Sequence, residues 1–110
     1  MTDQLAFELA PLVVPDHEPD ATIQERFDAF HAANPQVLDA LAALAGQWLA
    51  NHDRVGVKAL IERLRWEAGS QTDALDYRLN NNFTSRYARL LVERNPEWAS
   101  AIETRALRAA

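Results

Sequence analysis

The chain has 110 residues, of which 48% are hydrophobic and 25% are charged, and its formal net charge is −5. This length and balance are typical of one soluble globular domain and exclude a largely disordered protein. The absence of cysteine excludes disulfides and thiolate zinc sites, the acidic start lacks a signal peptide, and no apolar run reaches the roughly 20 residues of a spanning helix. These features predict a cytoplasmic protein with no membrane partner.

The charge is unevenly distributed along the chain. Residues 1–39 hold eight acidic groups against Arg26 alone, a net charge of −7, whereas residues 40–110 carry a net charge of +2. A negative net charge ordinarily disfavours nucleic acid as a partner, because phosphate binding needs concentrated positive potential. The mildly basic body removes that objection without favouring nucleic-acid binding by itself.

Residues 1–21 are predicted to form a flexible, acidic leader, and residues 22–110 a single helical domain. The leader contains three prolines and shows no helical periodicity. Two apolar islands, at residues 5–7 and 12–14, interrupt its polar sequence. These islands would either dock onto the domain as an arm or serve as a short linear motif for a partner.

Four helices are predicted, near residues 22–33, 35–51, 57–68 and 83–95. Thr22 and Glu25 have the spacing of a capping box, which marks the start of the first helix. Asn34 is predicted to cap the second helix, because Pro35 suits a first helical turn. Apolar residues recur at helical spacing along each segment. The predicted fold class is mainly α, with four to five short helices of helix-turn-helix or winged-helix character.

At most a minor sheet of two or three strands is expected beside these helices. Residues 54–55, 77–79 and 102–105 have the alternation or β-branching of short extended segments. In the usual winged arrangement two strands follow the recognition helix, but residues 77–79 precede it, which disfavours a standard wing. Trp66 lies off the apolar stripe of its helix and is predicted to be partly buried at the core edge rather than exposed as a stacking residue.

The third and fourth predicted helices and their polar connection are typical of a helix-turn-helix. On a helical wheel Arg86 and Arg89 fall near Asn82, opposite Phe83 and Tyr87. Arginine and asparagine in this position would contact phosphates and base edges. The predicted nucleic-acid-binding residues are Lys58, Arg78, Asn80, Asn81, Asn82, Ser85, Arg86 and Arg89. The asparagines equally favour a simple helix cap at Asn82, and plain helical hairpins share the same overall pattern.

No catalytic or metal-binding pattern is present in the sequence. The three histidines, His17, His31 and His52, stand apart from one another, and the sequence holds no HExxH, GxSxG or glycine-rich phosphate loop. The adjacent pair His52 and Asp53 is more typical of a solvated helix end than of a catalytic dyad. The sequence therefore predicts no enzyme activity, no cofactor and no metal. A small enzyme with a site that follows no known motif is kept as an alternative hypothesis, although no residue favours it directly.

Several segments together resemble a small family of bacteriophage and prophage proteins. These are TIQERFDAFHAANPQV, RVGVKALIERLRWE, RLNNNFTSRYARLLVERNPE and the later IETRAL. The similarity runs from about Thr22 to Leu107, and NNNFTSRYAR is its most specific part. The resemblance implies a mobile-element setting in a bacterial host and a compact, mostly helical domain, with no assigned activity.

Two functional hypotheses follow from these patterns. The leading one is a phage- or prophage-derived regulatory protein that binds DNA through a helix-turn-helix surface. The alternative is a protein–protein interaction module that acts on a host or phage protein without touching DNA. Such a module would use the acidic leader or the arginine-bearing helix face as its contact surface. The dependence of binding on salt separates the two, because phosphate contacts release counterions.

Overall fold

The computed structural model describes residues 12–13, 15–68 and 81–102, and these are mainly helical. The helices are α1 (Ile23–Ala33), α2 (Pro35–Leu49), α3 (Val57–Ala68) and α4 (Asn81–Arg94), followed by a 3₁₀ turn at Pro96–Trp98. The mainly α class is therefore confirmed, and the described residues contain no strand. They also contain no helix that is long and apolar enough to cross a membrane.

The capping box predicted at the start of α1 is confirmed. The Thr22 hydroxyl accepts a hydrogen bond from the Glu25 amide at 3.0 Å, and the Glu25 carboxylate accepts one from the Thr22 amide at 2.8 Å. Pro35 occupies the start of α2, where a missing N–H breaks no helical hydrogen bond. The start of α4 differs from the prediction. This helix begins at Asn81, so Asn82 lies within it and is not its cap.

Asn34 occupies the N-cap position of α2, as predicted, but its side chain does not cap the helix because it turns into the protein interior. It is 0% exposed and makes no capping hydrogen bond. Its Oδ1 accepts from the Val13 amide at 2.7 Å, and its Nδ2 donates to the Val13 and Phe30 carbonyls at 2.7 and 2.9 Å. The Asn34 side chain therefore forms hydrogen bonds with both the amide and the carbonyl of Val13, which stands 21 positions earlier in the sequence.

The Asn34 hydrogen bonds attach part of the predicted leader to the helical domain. Leu12 packs against the core, next to Val13. The docking alternative for the second apolar island thus holds at residues 12 and 13. Residues 1–11 and 14 lie outside the described residues, and the predicted boundary between residues 21 and 22 stays a prediction.

Helix α4 lies at the centre of the fold. It contacts α1, α2, α3 and the 3₁₀ turn. Towards α1 its Phe83 and Tyr87 rings pack edge-on against Phe27, with ring centroids 5.3 and 4.8 Å apart. Towards α2 and α3 the core is aliphatic, formed by Val37, Leu41, Leu44, Leu60, Ile61, Leu64 and Leu91. The helix that the sequence marks as a recognition helix is thus surrounded by the other elements.

One isolated parallel bridge between Val55 and Ile102 ties the segment before α3 to the chain after the 3₁₀ turn. The Val55 amide donates to the Ala101 carbonyl at 2.9 Å, and the Ile102 side chain is buried. Two of the three segments predicted to be extended, residues 54–55 and 102–105, thus meet at a single residue pair, and no strand forms in the described part of the chain. Residues 77–79 and 103–105, the other predicted extended positions, lie outside the described residues.

Removing the hydroxyl of Tyr87 is expected to stabilise the protein. This side chain is fully buried, its oxygen has no hydrogen-bond partner among the described residues, and burial raises the pKa of its phenol. An unpaired buried hydroxyl is unfavourable by about 1–3 kcal/mol, so Tyr87→Phe should raise the free energy of unfolding by about 1 kcal/mol. Urea denaturation at neutral pH measures this change, and a loss of stability would show that the hydroxyl is paired.

The same substitution has a signature at alkaline pH. Below about pH 10 the phenol is protonated in both the folded and the unfolded chain. Above that pH the unfolded chain releases the proton first, so the native protein loses stability by up to about 1.4 kcal/mol per pH unit. Tyr87→Phe should remove this component of the alkaline decline. Equal slopes in the two proteins would contradict the raised pKa.

Candidate functional site

Arg86 does not lie on an exposed face, and this corrects the sequence-based prediction. It is 5% exposed, and its Nε donates to Gln24 Oε1 of α1 at 2.8 Å. The Gln24 amide in turn donates to Asp28 Oδ1 at 2.8 Å. The cause is that α1 packs across this side of α4, which a helical wheel of α4 alone does not show. Arg86 belongs to the interface between α1 and α4.

The other predicted nucleic-acid-binding residues have different environments. Arg89 is exposed on α4, Ser85 is half-buried, and Lys58 is exposed on α3. Asn81 and Asn82 belong to α4, whereas Arg78 and Asn80 lie outside the described residues. The turn between α3 and α4 also falls outside them, so helix-turn-helix character and the full predicted site stay predictions.

The exposed strip of α4, defined by Arg89 and Glu93, carries little net charge. These two side chains are both exposed, and they lie four residues apart on the same side of the helix. Arg94, further round the helix, donates to Asp39 at 2.7 Å. Phosphate binding depends on accumulated positive charge, which this strip does not provide in the described part of the chain.

A cleft of about 600 Å³ opens between the end of α2, residues 50–56 and the first two turns of α3. Its floor is apolar and formed by the buried side chains of Leu44, Val55 and Leu60. Its rim is polar and exposed, and includes Gln47, Asn51, His52, Arg54 and Arg63. An apolar floor with a few polar groups at the rim is the usual composition of a binding site.

Trp48 forms a fixed aromatic wall of this cleft. Its ring stacks on His52 with centroids 3.7 Å apart and planes 7° from parallel. Its indole Nε1 donates to the Arg54 carbonyl at 2.9 Å. His52 Nδ1 lies 3.0 Å from the Trp48 carbonyl, and because a carbonyl only accepts, this nitrogen carries the proton. The indole is therefore held on two sides while remaining 47% exposed.

Trp66 is 83% exposed, so its predicted placement at the core edge is wrong. Leu60 and Leu64 face the core, and Trp66 follows Leu64 by two positions, which places it on the opposite side of α3. It lies one turn beyond Arg63, so the two are neighbours on the helix surface. The arginine rim of the cleft is thus continued by a second exposed tryptophan.

The sequence analysis missed this cleft because its residues come from two helices and a loop. One local signal was present, since His52 stands four residues after Trp48 and can turn back onto the last turn of α2. The described residues contain no group of three His, Asp or Glu side chains that could hold a metal ion.

No family model, curated protein or solved structure matches this chain. The predicted relation to phage proteins therefore stays a prediction, as does the predicted lack of enzyme activity.

Proposed function

We propose that the protein is an interaction module that binds another protein through the cleft between α2 and α3. The observation that carries this proposal is the ordered, half-exposed ring of Trp48 in the lining of a cleft whose rim carries Arg54 and Arg63. A second exposed tryptophan, Trp66, follows Arg63 by one turn on α3. Tryptophan and arginine are the residues most enriched among those that dominate the energy of protein interfaces.

The fixed position of Trp48 supports the proposal on energetic grounds. Binding loses free energy when mobile side chains become ordered, by about 0.5–1.5 kcal/mol for each one. The His52 stack and the hydrogen bond to the Arg54 carbonyl already order the indole. The buried floor of the cleft offers apolar contact to a side chain of the partner, and the rim arginines offer hydrogen bonds to its carboxylates.

The leading hypothesis from the sequence, DNA binding, is the weaker proposal. It relied on Arg86 and Arg89 acting together, and Arg86 is buried against Gln24. The remaining exposed strip holds one positive residue, Arg89, and one negative residue, Glu93, and so has little net charge. A protein partner is therefore favoured over duplex DNA.

A capture experiment tests the proposed function. Full-length protein is immobilised and exposed to nuclease-treated bacterial lysate, the setting that the phage-family resemblance implies. The cleft variant Arg63→Glu/Trp66→Ala is compared with Arg89→Glu, which makes the same charge change on the exposed strip of α4. Thermal melts check that both variants fold.

We expect a lysate protein to be retained by the native protein and by Arg89→Glu after nuclease treatment. The cleft variant should not retain this protein. Retention that depends on nucleic acid, or that Arg89→Glu abolishes while the cleft variant keeps it, would overturn the proposal.

A further inference from the structure

A second surface of the protein has the complementary chemistry of the cleft. Asp16, Glu18 and Asp20 are exposed within a short stretch and have no basic partner in the part of the chain that the structure describes. Pro15 and Pro19 restrict the backbone of the same stretch. A segment whose backbone is restricted by prolines loses little conformational freedom when it binds.

An exposed apolar side chain adjoins these acidic residues. Val13 is 53% exposed, although its backbone N–H and C=O are both bonded to Asn34. The backbone is thus fixed while the side chain faces solvent. The exposed large apolar side chains of the described residues are Val13, Trp48 and Trp66. Val13 belongs to the acidic segment, Trp48 lines the cleft, and Trp66 follows the cleft residue Arg63 by one helical turn.

The two surfaces match in charge as well as in apolar character. The acidic segment, defined as residues 12–20, carries three carboxylates, and the cleft rim carries Arg54 and Arg63. Carboxylates and guanidinium groups form the strongest hydrogen-bonded pairs available to side chains. In the acidic segment Val13 precedes the three carboxylates, and in the cleft Trp48 accompanies the two arginines. Each surface therefore offers an apolar contact next to a charged one.

Val13 of one chain does not reach its own cleft. It is fixed to Asn34 at the start of α2, whereas Trp48 and the cleft lie at the other end of that helix. A helix of this length separates the two by about 20 Å. A Val13 side chain that contacts Trp48 must therefore come from another molecule.

We propose that the cleft of one copy binds the acidic segment of a second copy, an inference that rests on the proposed function of the cleft. Val13 contacts the exposed tryptophans, and the carboxylates bind Arg54 and Arg63. Because the two surfaces differ, the contact is head-to-tail and leaves an unused cleft and an unused segment at the ends of each assembly. Addition of further copies then extends the assembly or closes it into a ring.

Two charge-neutralising variants of the full-length protein test this proposal. Asp16→Asn/Glu18→Gln/Asp20→Asn removes the charges of the acidic segment but leaves the cleft intact. Arg54→Gln/Arg63→Gln removes the rim charges but leaves the segment intact. Circular dichroism establishes that both variants are folded. Analytical ultracentrifugation from about 10 μM to about 1 mM then covers the range of weak association.

The native protein should increase in average mass with concentration, and its association constant should fall about tenfold between low and high salt. Each variant alone should stay monomeric. An equimolar mixture should form a heterodimer with one copy of each variant and grow no further. Each heterodimer has one intact acidic segment and one intact cleft, and these already bind each other. This limited complementation is specific to a head-to-tail contact.

A native protein that is monomeric throughout the range, or a mixture without heterodimer, would overturn the inference. Self-association that both variants retain would do the same. Cleft-dependent capture of a foreign protein by a monomeric native chain would leave the proposed function standing while refuting self-association. A native protein that neither self-associates nor captures a foreign protein through the cleft would refute both proposals.

Discussion

Replacing Arg86 by alanine is expected to destabilise the protein by about 2–3 kcal/mol, whereas replacing Arg89 by alanine should change stability by less than about 0.5 kcal/mol. Both arginines belong to α4 and lie three residues apart. Arg86 is buried, and its loss would leave a cavity between α1 and α4 and remove the hydrogen bond to Gln24. Arg89 is exposed, where alanine is a good helix former. Urea denaturation of the two variants measures the difference.

Arg86→Met is the matched control, because it keeps most of the side-chain volume but cannot donate to Gln24. It should lose less stability than the alanine variant, by about 1 kcal/mol or more, since the cavity is largely filled. Equal, small effects of alanine at both arginines would contradict the burial of Arg86 and restore the exposed pair that the sequence predicts.

Replacing Asn34 by aspartate is expected to destabilise the protein by about 3 kcal/mol, although the two side chains have nearly the same shape. The substitution removes both donated hydrogen bonds and places a negative charge against the Val13 and Phe30 carbonyls. Loss of the Val13 hydrogen bonds should also release residues 12 and 13 from the domain. Urea denaturation measures the first effect, and hydrogen exchange at the Val13 amide measures the second.

Asn51→Asp controls for the added charge, because Asn51 is exposed at the cleft rim. Its effect on stability should stay within about 0.5 kcal/mol. Fast exchange of the Val13 amide in the native protein would show instead that the segment is not held by Asn34, and would remove the geometric basis for self-association.

The helices could be predicted because their determinants are local. The capping box of Thr22 and Glu25, the proline at the start of α2 and the apolar periodicity all act within a few residues. The position of Arg86 could not be predicted in this way. A wheel separates polar from apolar positions, but whether a polar position meets solvent or another helix depends on how α1 packs over α4.

Asn34 and the cleft show the same limit. An asparagine before a proline indicates a cap, yet here its amide binds a backbone segment 21 residues away, a contact without any local pattern. Arg54 and Arg63 line the same cleft although they are nine residues apart, and Val55, next to Arg54, is tied to Ile102. Only the i, i+4 spacing of Trp48 and His52 was visible in the sequence.

Site-specific photo-crosslinking tests most directly the claim that the cleft, and not the exposed strip of α4, is the contact surface. A photoreactive phenylalanine analogue replaces Asn51 at the cleft rim in one variant and Arg89 in another, so that the rim arginines stay in place. Both variants are irradiated in bacterial lysate with and without nuclease treatment. We expect adducts with protein, either a second copy or a foreign chain, from position 51 and none from position 89. Adducts from position 89 alone, or adducts with nucleic acid in the untreated lysate, would contradict the account.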